Sequence, residues 1–243
     1  MIRRCMESWE KVMPDFEVKH WTLNDVKDLD VPFLKEALEC EKWAFAADYT
    51  RLYALYTMGG IYLDTDVEVF KNFSPLLNHK AFIGRENSYH MKKNMMMTFL
   101  TSHCMGAEKG HPYIKACLDY YKGRHFITSP ETWLPDNLKY DQRTLPFIQS
   151  EIGELQGYSP SRRIRGIQIF GEGVYVYPYY YFDCHNRKKE SYCKHLAMGS
   201  WRNRVIGDEK KSLKERIKPA AADLVFRISG RTGLFKLKDA PKK

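Results

Sequence analysis

The chain has 243 residues, of which 44% are hydrophobic and 14% aromatic, and this composition excludes an intrinsically disordered protein and suits one large domain. The formal net charge of +9 permits binding to nucleic acid, to an anionic membrane surface or to a phosphorylated ligand. No run of about 18 apolar residues occurs and no signal-peptide core follows Met1, so we expect neither a membrane-spanning helix nor secretion. A cytoplasmic protein is the simplest interpretation.

Hydrophobic periodicity predicts helices that alternate with strands along the chain. Met6, Trp9 and Met13 recur at helical spacing, and an alternating strand pattern follows over residues 16–21. Further helices are predicted to begin at Val31-Pro32 and to span 43–58 and 112–121, and further strands to span 61–63, 67–70, 81–84 and 174–177. This alternation predicts an α/β sheet.

Two aspartates interrupt an otherwise apolar strand. Asp64 and Asp66 lie two residues apart, so both carboxylates are placed to converge at the exposed end of the sheet. Two like charges this close need a compensating cation, and hard oxygen ligands suit Mg²⁺ or Mn²⁺. An isolated Asp-x-Asp pattern is also typical of a polar turn, so the pattern alone leaves both interpretations open.

The helix before this strand adds a second polar pair. Asp48 and Arg51 lie three residues apart on the predicted helix and therefore share a face, where they can form an ion pair. An exposed pair of this kind would add only about 0.2 to 0.5 kcal/mol, so stability alone is a poor reason for the pair and a role in orienting a ligand is favoured. Gly59-Gly60 ends the helix and allows a close approach of the backbone to a ligand.

Residues 47–66, which run from Ala47 through Asp48, Arg51 and Gly59-Gly60 to Asp64-Thr65-Asp66, resemble the signature of glycosyltransferase family 32, whose members carry a DXD motif. Looser similarity extends over roughly residues 3–201 and ends in a segment that is similar to the family's closing His and Ser-Trp motif. The resemblance implies a glycosyltransferase A fold with a single Rossmann-like mixed sheet. It also implies a divalent cation, Mn²⁺ or Mg²⁺, and sugar transfer with retention of configuration.

The resemblance also implies roles for individual residues. Asp64 and Asp66 would bind the metal and the donor diphosphate, Asp48 and Arg51 would hold the donor sugar, and Asp48 and Asp66 are the catalytic candidates. A group at the far end of the fold would close over the diphosphate: His195, Ser200 and Trp201. His195 is a candidate metal ligand, and the alternative is a structural histidine at the end of a strand.

Two regions are predicted. Residues 1–207 would form the catalytic domain, from which the family's usual first strand is apparently absent, and residues 208–243 would form a basic, amphipathic, helical extension. We expect this extension either to pack on the domain or to dock on the inner face of a membrane. The expected partners are a nucleotide-sugar donor, with a UDP-sugar favoured, and a glycan or lipid-linked acceptor used in surface polysaccharide synthesis.

Three other functions are alternatives to sugar transfer. A catalytically silent nucleotide-sugar binder would keep the fold without turnover, whereas a phosphotransferase or hydrolase using the same aspartates lacks a P-loop. A nucleic-acid binder would rest only on Arg162 to Arg165 and the C-terminal lysines. Six scattered cysteines predict mostly reduced thiols, and Cys184-His185 with Cys193 and His195 is a weaker zinc alternative.

Overall fold

The computed structural model describes residues 1–92, 95–183 and 187–197, and the backbone of Thr232–Leu237. The helices in these residues are α1 (Ile2–Val12), α2 (Pro32–Glu39), α3 (Trp43–Met58), α4 (Pro112–Asp119), α5 (Asp136–Lys139) and α6 (Leu145–Leu155). The strands are β1 (Phe16–Trp21), β2 (Gly60–Leu63), β3 (Val67–Val69), β4 (Ala81–Arg85), β5 (His90–Lys92), β6 (Met95–Met97), β7 (Leu100–Ala107), β8 (Gln168–Phe170), β9 (Val174–Tyr177), β10 (Cys193–His195) and β11 (Thr232–Leu237).

A mixed sheet lies at the centre of the molecule. Its strands follow the order β2-β7-β4-β9-β8, and β11 and then β1 extend it on the β2 side. The pair β4 and β9 is parallel, whereas β7 runs antiparallel to both β2 and β4. Strands β2 and β4 therefore point in the same direction, and their carboxyl ends meet at one edge of the sheet. This mixed α/β architecture agrees with the predicted class and is compatible with a glycosyltransferase A fold.

Both faces of the sheet are covered by apolar side chains, because successive residues of a strand point to opposite faces. In β2, Tyr62 joins a core that contains residues of α2, α3, α4 and α6. Its neighbours Ile61 and Leu63 join a second core that contains Trp9 of α1 and Phe182. Burial on both faces explains why the strand reads as a nearly continuous apolar run.

The end of α3 sets the direction of β2. Gly59 has a φ of +68°, and the glycine that follows the helix adopts this value without the steric cost that a Cβ would bring. An added Cβ would also lie 2.6 Å from the backbone nitrogen of Lys109. The prediction of a helix over 43–58 that ends at glycine and leads into a strand is confirmed.

The strand that was predicted to resume after the two aspartates is present as β3, but it does not continue in the central sheet. It pairs antiparallel with β10 instead, with Val67 opposite His195. The physical reason is a turn over Asp64-Thr65-Asp66, in which the Val67 N–H donates to the Asp64 carbonyl at 3.0 Å. The turn redirects the chain away from β2 and toward a distant part of the sequence.

The C-terminal region is described only in part. The backbone of β11 pairs antiparallel with β1 and β2, and the rest of the predicted extension 208–243 lies outside the described residues. Thr232–Leu237 therefore form a strand rather than the predicted helix. For the rest of the extension the basic helical tail stays a prediction, as does the division at residue 207. Among the described helices, none is long and apolar enough to span a bilayer.

Candidate functional site

The two aspartates lie at the edge of the sheet where β2 ends. The Asp64 N–H donates to the His103 carbonyl of β7 at 2.8 Å, so the last ladder bond of the sheet fixes the position of this residue. Asp66 follows at the end of the turn, where its carbonyl accepts a 3.0 Å bond from the Leu196 N–H. Hydrogen bonds of the backbone thus hold both residues at this edge.

His195 reaches the aspartates through the pairing of β10 with β3. Its Nε2 atom lies 3.2 Å from Asp66 Oδ1, and one ligand atom each from Asp64, Asp66 and His195 lie within 4.8 Å of one another. Burial alone would lower the pKa of His195, but its bond to Asp66 and the charges of Asp64 and Asp66 raise the pKa above its usual value. Two carboxylates and an imidazole suit a divalent cation such as Mn²⁺.

Arg51 links α3 to this cluster. Its guanidinium lies 3.1 Å from Asp64 Oδ1 and 3.2 Å from Asp48 Oδ1, and it donates to the Ser102 carbonyl at 2.7 Å. The side chain of Arg51 is 7% exposed and that of Asp48 13%. The pair is therefore buried, and Arg51 bridges two carboxylates that belong to different elements of the fold. This bridge positions Asp64, a role that the helical spacing of Asp48 and Arg51 did not indicate.

Asp48 lies in an unusual environment for a carboxylate. Burial raises its pKa from 3.8 to about 6, against the opposing effects of Arg51 and of a hydrogen bond from the Leu145 N–H. That N–H donates to Asp48 Oδ2 at 3.2 Å. A perturbed carboxyl beside a candidate ligand site is characteristic of functional positions, although structural ion pairs produce similar shifts.

Two aromatic side chains complete the surroundings of the aspartates, and the sequence analysis assigned neither. The Tyr62 hydroxyl donates to Asp64 Oδ1, and burial raises the pKa of this hydroxyl well above its usual value. The ring of His103 stacks on that of His195, with centroids 4.3 Å apart. Burial and the neighbouring His195 lower the pKa of His103 to about 3, so His103 is neutral at pH 7. Asp183 forms a second group of potential ligands with these two histidines.

Helix α1 braces the strand that follows the aspartates. The Trp9 indole N–H donates to the Val67 carbonyl at 2.7 Å, and the Val69 N–H donates to Ser8 Oγ at 2.9 Å. Both bonds fix β3, whose other side pairs with the strand of His195. The N-terminal helix is therefore a structural part of the site.

Several of the predicted site residues lie outside the part of the chain that the structure describes. Ser200 and Trp201 lie outside the described residues, as does Cys184-His185, so their predicted roles stay predictions. Cys193 is buried, and its thiol contacts the Phe182 carbonyl at 3.4 Å. The described cysteines are free thiols, as expected.

The residues that form one half of this site also match a known protein family. Residues 2–83 match the family described as the glycosyltransferase sugar-binding region containing DXD motif. These residues include Asp48, Arg51, Tyr62 and both aspartates, with α1 and α3. This region is similar to the sugar-binding region of DXD-type glycosyltransferases. The resemblance to glycosyltransferase family 32 is thereby confirmed, whereas His103 and His195 lie beyond the matched residues.

A fungal relative extends the comparison. A stretch of 105 residues is 30% identical to inositol phosphoceramide mannosyltransferase 3 of Schizosaccharomyces pombe. The match covers 42% of this chain and 27% of that protein, so the chain spans only about a quarter of the relative's length.

Proposed function

We propose that this chain, which carries a region similar to the DXD-type glycosyltransferases, is a metal-dependent, retaining hexosyltransferase that takes its sugar from a nucleotide-sugar. The observation that supports this most directly is the convergence of Asp64 and Asp66, in the turn between β2 and β3, with His195 of β10, the strand that pairs with β3. An ordinary polar turn would need neither a histidine brought from the far end of the sequence nor a buried arginine behind it.

The chemistry of transfer makes this arrangement useful. Cleavage of a glycosyl phosphate bond builds negative charge on the departing diphosphate. When bound by Asp64, Asp66 and His195, Mn²⁺ or Mg²⁺ would supply Lewis-acid stabilisation of that charge. Arg51 and Tyr62 hold Asp64 through its Oδ1 atom, which orients the carboxylate toward the edge of the sheet. Such supporting contacts tune the affinity of a metal ligand.

Asp48 and Arg51 of α3 are proposed to contact the donor sugar. The Leu145 N–H and the guanidinium of Arg51 fix the carboxyl of Asp48, so it has little freedom to move. A fixed acceptor of this kind can position sugar hydroxyls without a loss of side-chain entropy on binding. Ser200 and Trp201 are proposed to close over the diphosphate.

For the donor and the acceptor, only a chemical class is proposed. A UDP-sugar is favoured, and the name of the fungal relative adds mannose to the candidate sugars. The acceptor is proposed to be a glycan or a lipid-linked sugar of surface polysaccharide synthesis, used by a cytoplasmic or peripheral enzyme at the inner face of a membrane. A silent nucleotide-sugar binder with the same site is the second candidate.

Release of nucleotide from a panel of UDP- and GDP-sugars, with and without Mn²⁺, tests the proposal without an acceptor. We expect Mn²⁺-dependent release from one donor, its loss in Asp66→Asn, and normal release in Asp119→Asn. Asp119 is the matched control because its carboxylate is half exposed and forms a surface ion pair with Lys115. Metal-dependent binding without release would favour the silent binder, and no binding of any donor would contradict both functions.

A further inference from the structure

Exposed apolar side chains and arginines occur on two segments that contact each other, the β5–β6 hairpin and the loop between α6 and β8. The apolar members are Met91 (64% exposed) and Met96 (46%) of the β5–β6 hairpin, and Ile164 (37%) and Ile167 (47%) of the loop between α6 and β8. Arg162 and Arg165 of the same loop are also exposed. We call these six residues the arginine–methionine surface. Single exposed apolar residues are ordinary, but a contiguous group indicates an interaction site.

Direct contacts join the hairpin and the loop. The Arg162 N–H donates to the Met96 carbonyl at 3.2 Å, and Met97 forms a bridge with Ser161. The Arg162 guanidinium lies 4.7 Å from the centre of the Tyr89 ring and 3.8 Å from the Met96 sulfur. These contacts place cations and apolar groups side by side rather than on separate faces.

A buried arginine anchors the loop from below. Arg85, which is 5% exposed, donates through its guanidinium to the Ile164 carbonyl and, at 3.1 Å, to the Gly166 carbonyl. The backbone of the loop is thus fixed at the end of β4. Ile164 and Ile167 are therefore exposed on a loop whose backbone is fixed by hydrogen bonds.

The surface shares an edge of the sheet with the candidate site. Strand β4 ends at Arg85 and leads into the hairpin, while β2 ends at Leu63 and leads into Asp64. Both strands run antiparallel to β7, so their carboxyl ends lie at the same edge. Whatever binds the arginine–methionine surface is brought to the side of the molecule that carries the aspartates.

We propose that the arginine–methionine surface docks the chain on an anionic lipid bilayer. The methionine and isoleucine side chains would enter the boundary between headgroups and acyl chains, while Arg162 and Arg165 would pair with lipid phosphates. Binding of a single-stranded nucleic acid uses several exposed aromatic rings for base stacking, whereas the exposed apolar groups here are mainly methionine and isoleucine beside Tyr89. In so far as the proposed function holds, docking would turn the site toward a lipid-linked acceptor.

Flotation of the full chain with vesicles tests the electrostatic part. The vesicles contain phosphatidylcholine alone or with phosphatidylglycerol, and neither metal nor donor is added. We expect binding to the anionic vesicles and a loss of at least about 30-fold in Arg162→Glu/Arg165→Glu, because each basic residue at such a surface contributes about fivefold. Lys11→Glu/Lys27→Glu changes the net charge by the same amount. Both lysines are exposed but are not part of the arginine–methionine surface, so this variant should bind nearly normally.

A second pair of variants tests the apolar part. Met91→Ser/Met96→Ser should weaken vesicle binding while the thermal unfolding midpoint changes little, because the two side chains are 64% and 46% exposed. Leu138→Ser is the control, since Leu138 is 57% exposed on α5. Asp66→Asn should bind vesicles like the unaltered chain, which separates failure of docking from failure of the proposed transfer.

Three results would overturn docking through this surface. The first is vesicle binding that survives both double variants. The second is binding lost only in Lys210→Glu/Lys211→Glu, which would assign it to the C-terminal extension. The third is vesicle-free self-association that the methionine variant abolishes, which would make the surface an interface between two copies of the chain.

Discussion

Neutralising Asp48 should stabilise the protein while impairing donor binding. A rise in the pKa of this buried carboxyl from 3.8 to about 6 corresponds to about 3 kcal/mol, since one pKa unit is worth about 1.36 kcal/mol. Between these two pH values the folded state binds more protons than the unfolded state. Stability from this group is therefore present below about pH 3.8 and is lost as the pH rises through about 6. At pH 7 the ionised carboxylate destabilises the fold.

Chemical denaturation of Asp48→Asn at several pH values tests this reasoning. We expect the free energy of unfolding at pH 7 to increase by up to about 3 kcal/mol, and its decline between about pH 4 and 6 to become shallower. Arg51 keeps Asp64 as a partner in this variant, so no buried charge is left unpaired. Asp119→Asn, at a surface ion pair, should change stability by less than about 1 kcal/mol. A destabilised Asp48→Asn, or an unchanged pH slope, would refute the argument.

Three further changes probe the same site. Arg51→Met leaves the buried Asp48 and the partly buried Asp64 without their cation, so urea unfolding should show a loss of about 3 to 5 kcal/mol, and a stability equal to the unaltered chain would contradict the buried bridge. Gly59→Ala should lower the thermal unfolding midpoint more than Gly123→Ala does. Both glycines have a φ of +68°, but an added Cβ would meet the Lys109 backbone at Gly59 and nothing within 4 Å at Gly123. Equal decreases in the midpoint would count against a steric cause. Tyr62→Phe removes the hydrogen bond to Asp64, so Mn²⁺ affinity measured by calorimetry should fall about tenfold, and an unchanged affinity would show that the hydroxyl does not tune the metal ligand.

The local elements were predictable because short-range patterns encode them. Spacing of apolar residues and Gly59 predicted α3 and β2, and the two-residue spacing of Asp64 and Asp66 marked the break in the apolar run. Tyr62 carried a signal of the same kind. It lies two residues before Asp64 and so shares a strand face with it, which could have suggested their hydrogen bond.

The long-range parts of the site were not predictable from spacing. The pairing of β3 with β10 sets Val67 opposite His195, and backbone hydrogen bonding between distant segments leaves no periodic mark in either one. The stacking of His103 on His195 depends on the same pairing. The burial of Asp48 and Arg51 likewise depends on packing around α3, which the helical pattern alone does not determine. Resemblance to a family, rather than periodicity, identified His195 as a candidate ligand.

Binding of a nucleoside diphosphate with and without Mn²⁺ tests the central claim most directly. Calorimetric titration of UDP and GDP into the full chain would compare the unaltered protein with Asp66→Asn and His195→Ala, with Asp119→Asn as the control. We predict that one nucleotide binds only with Mn²⁺, that Asp66→Asn abolishes this binding and that His195→Ala weakens it. Nucleotide binding that is independent of the metal, or that persists unchanged in both variants, would contradict a metal and diphosphate site at Asp64, Asp66 and His195.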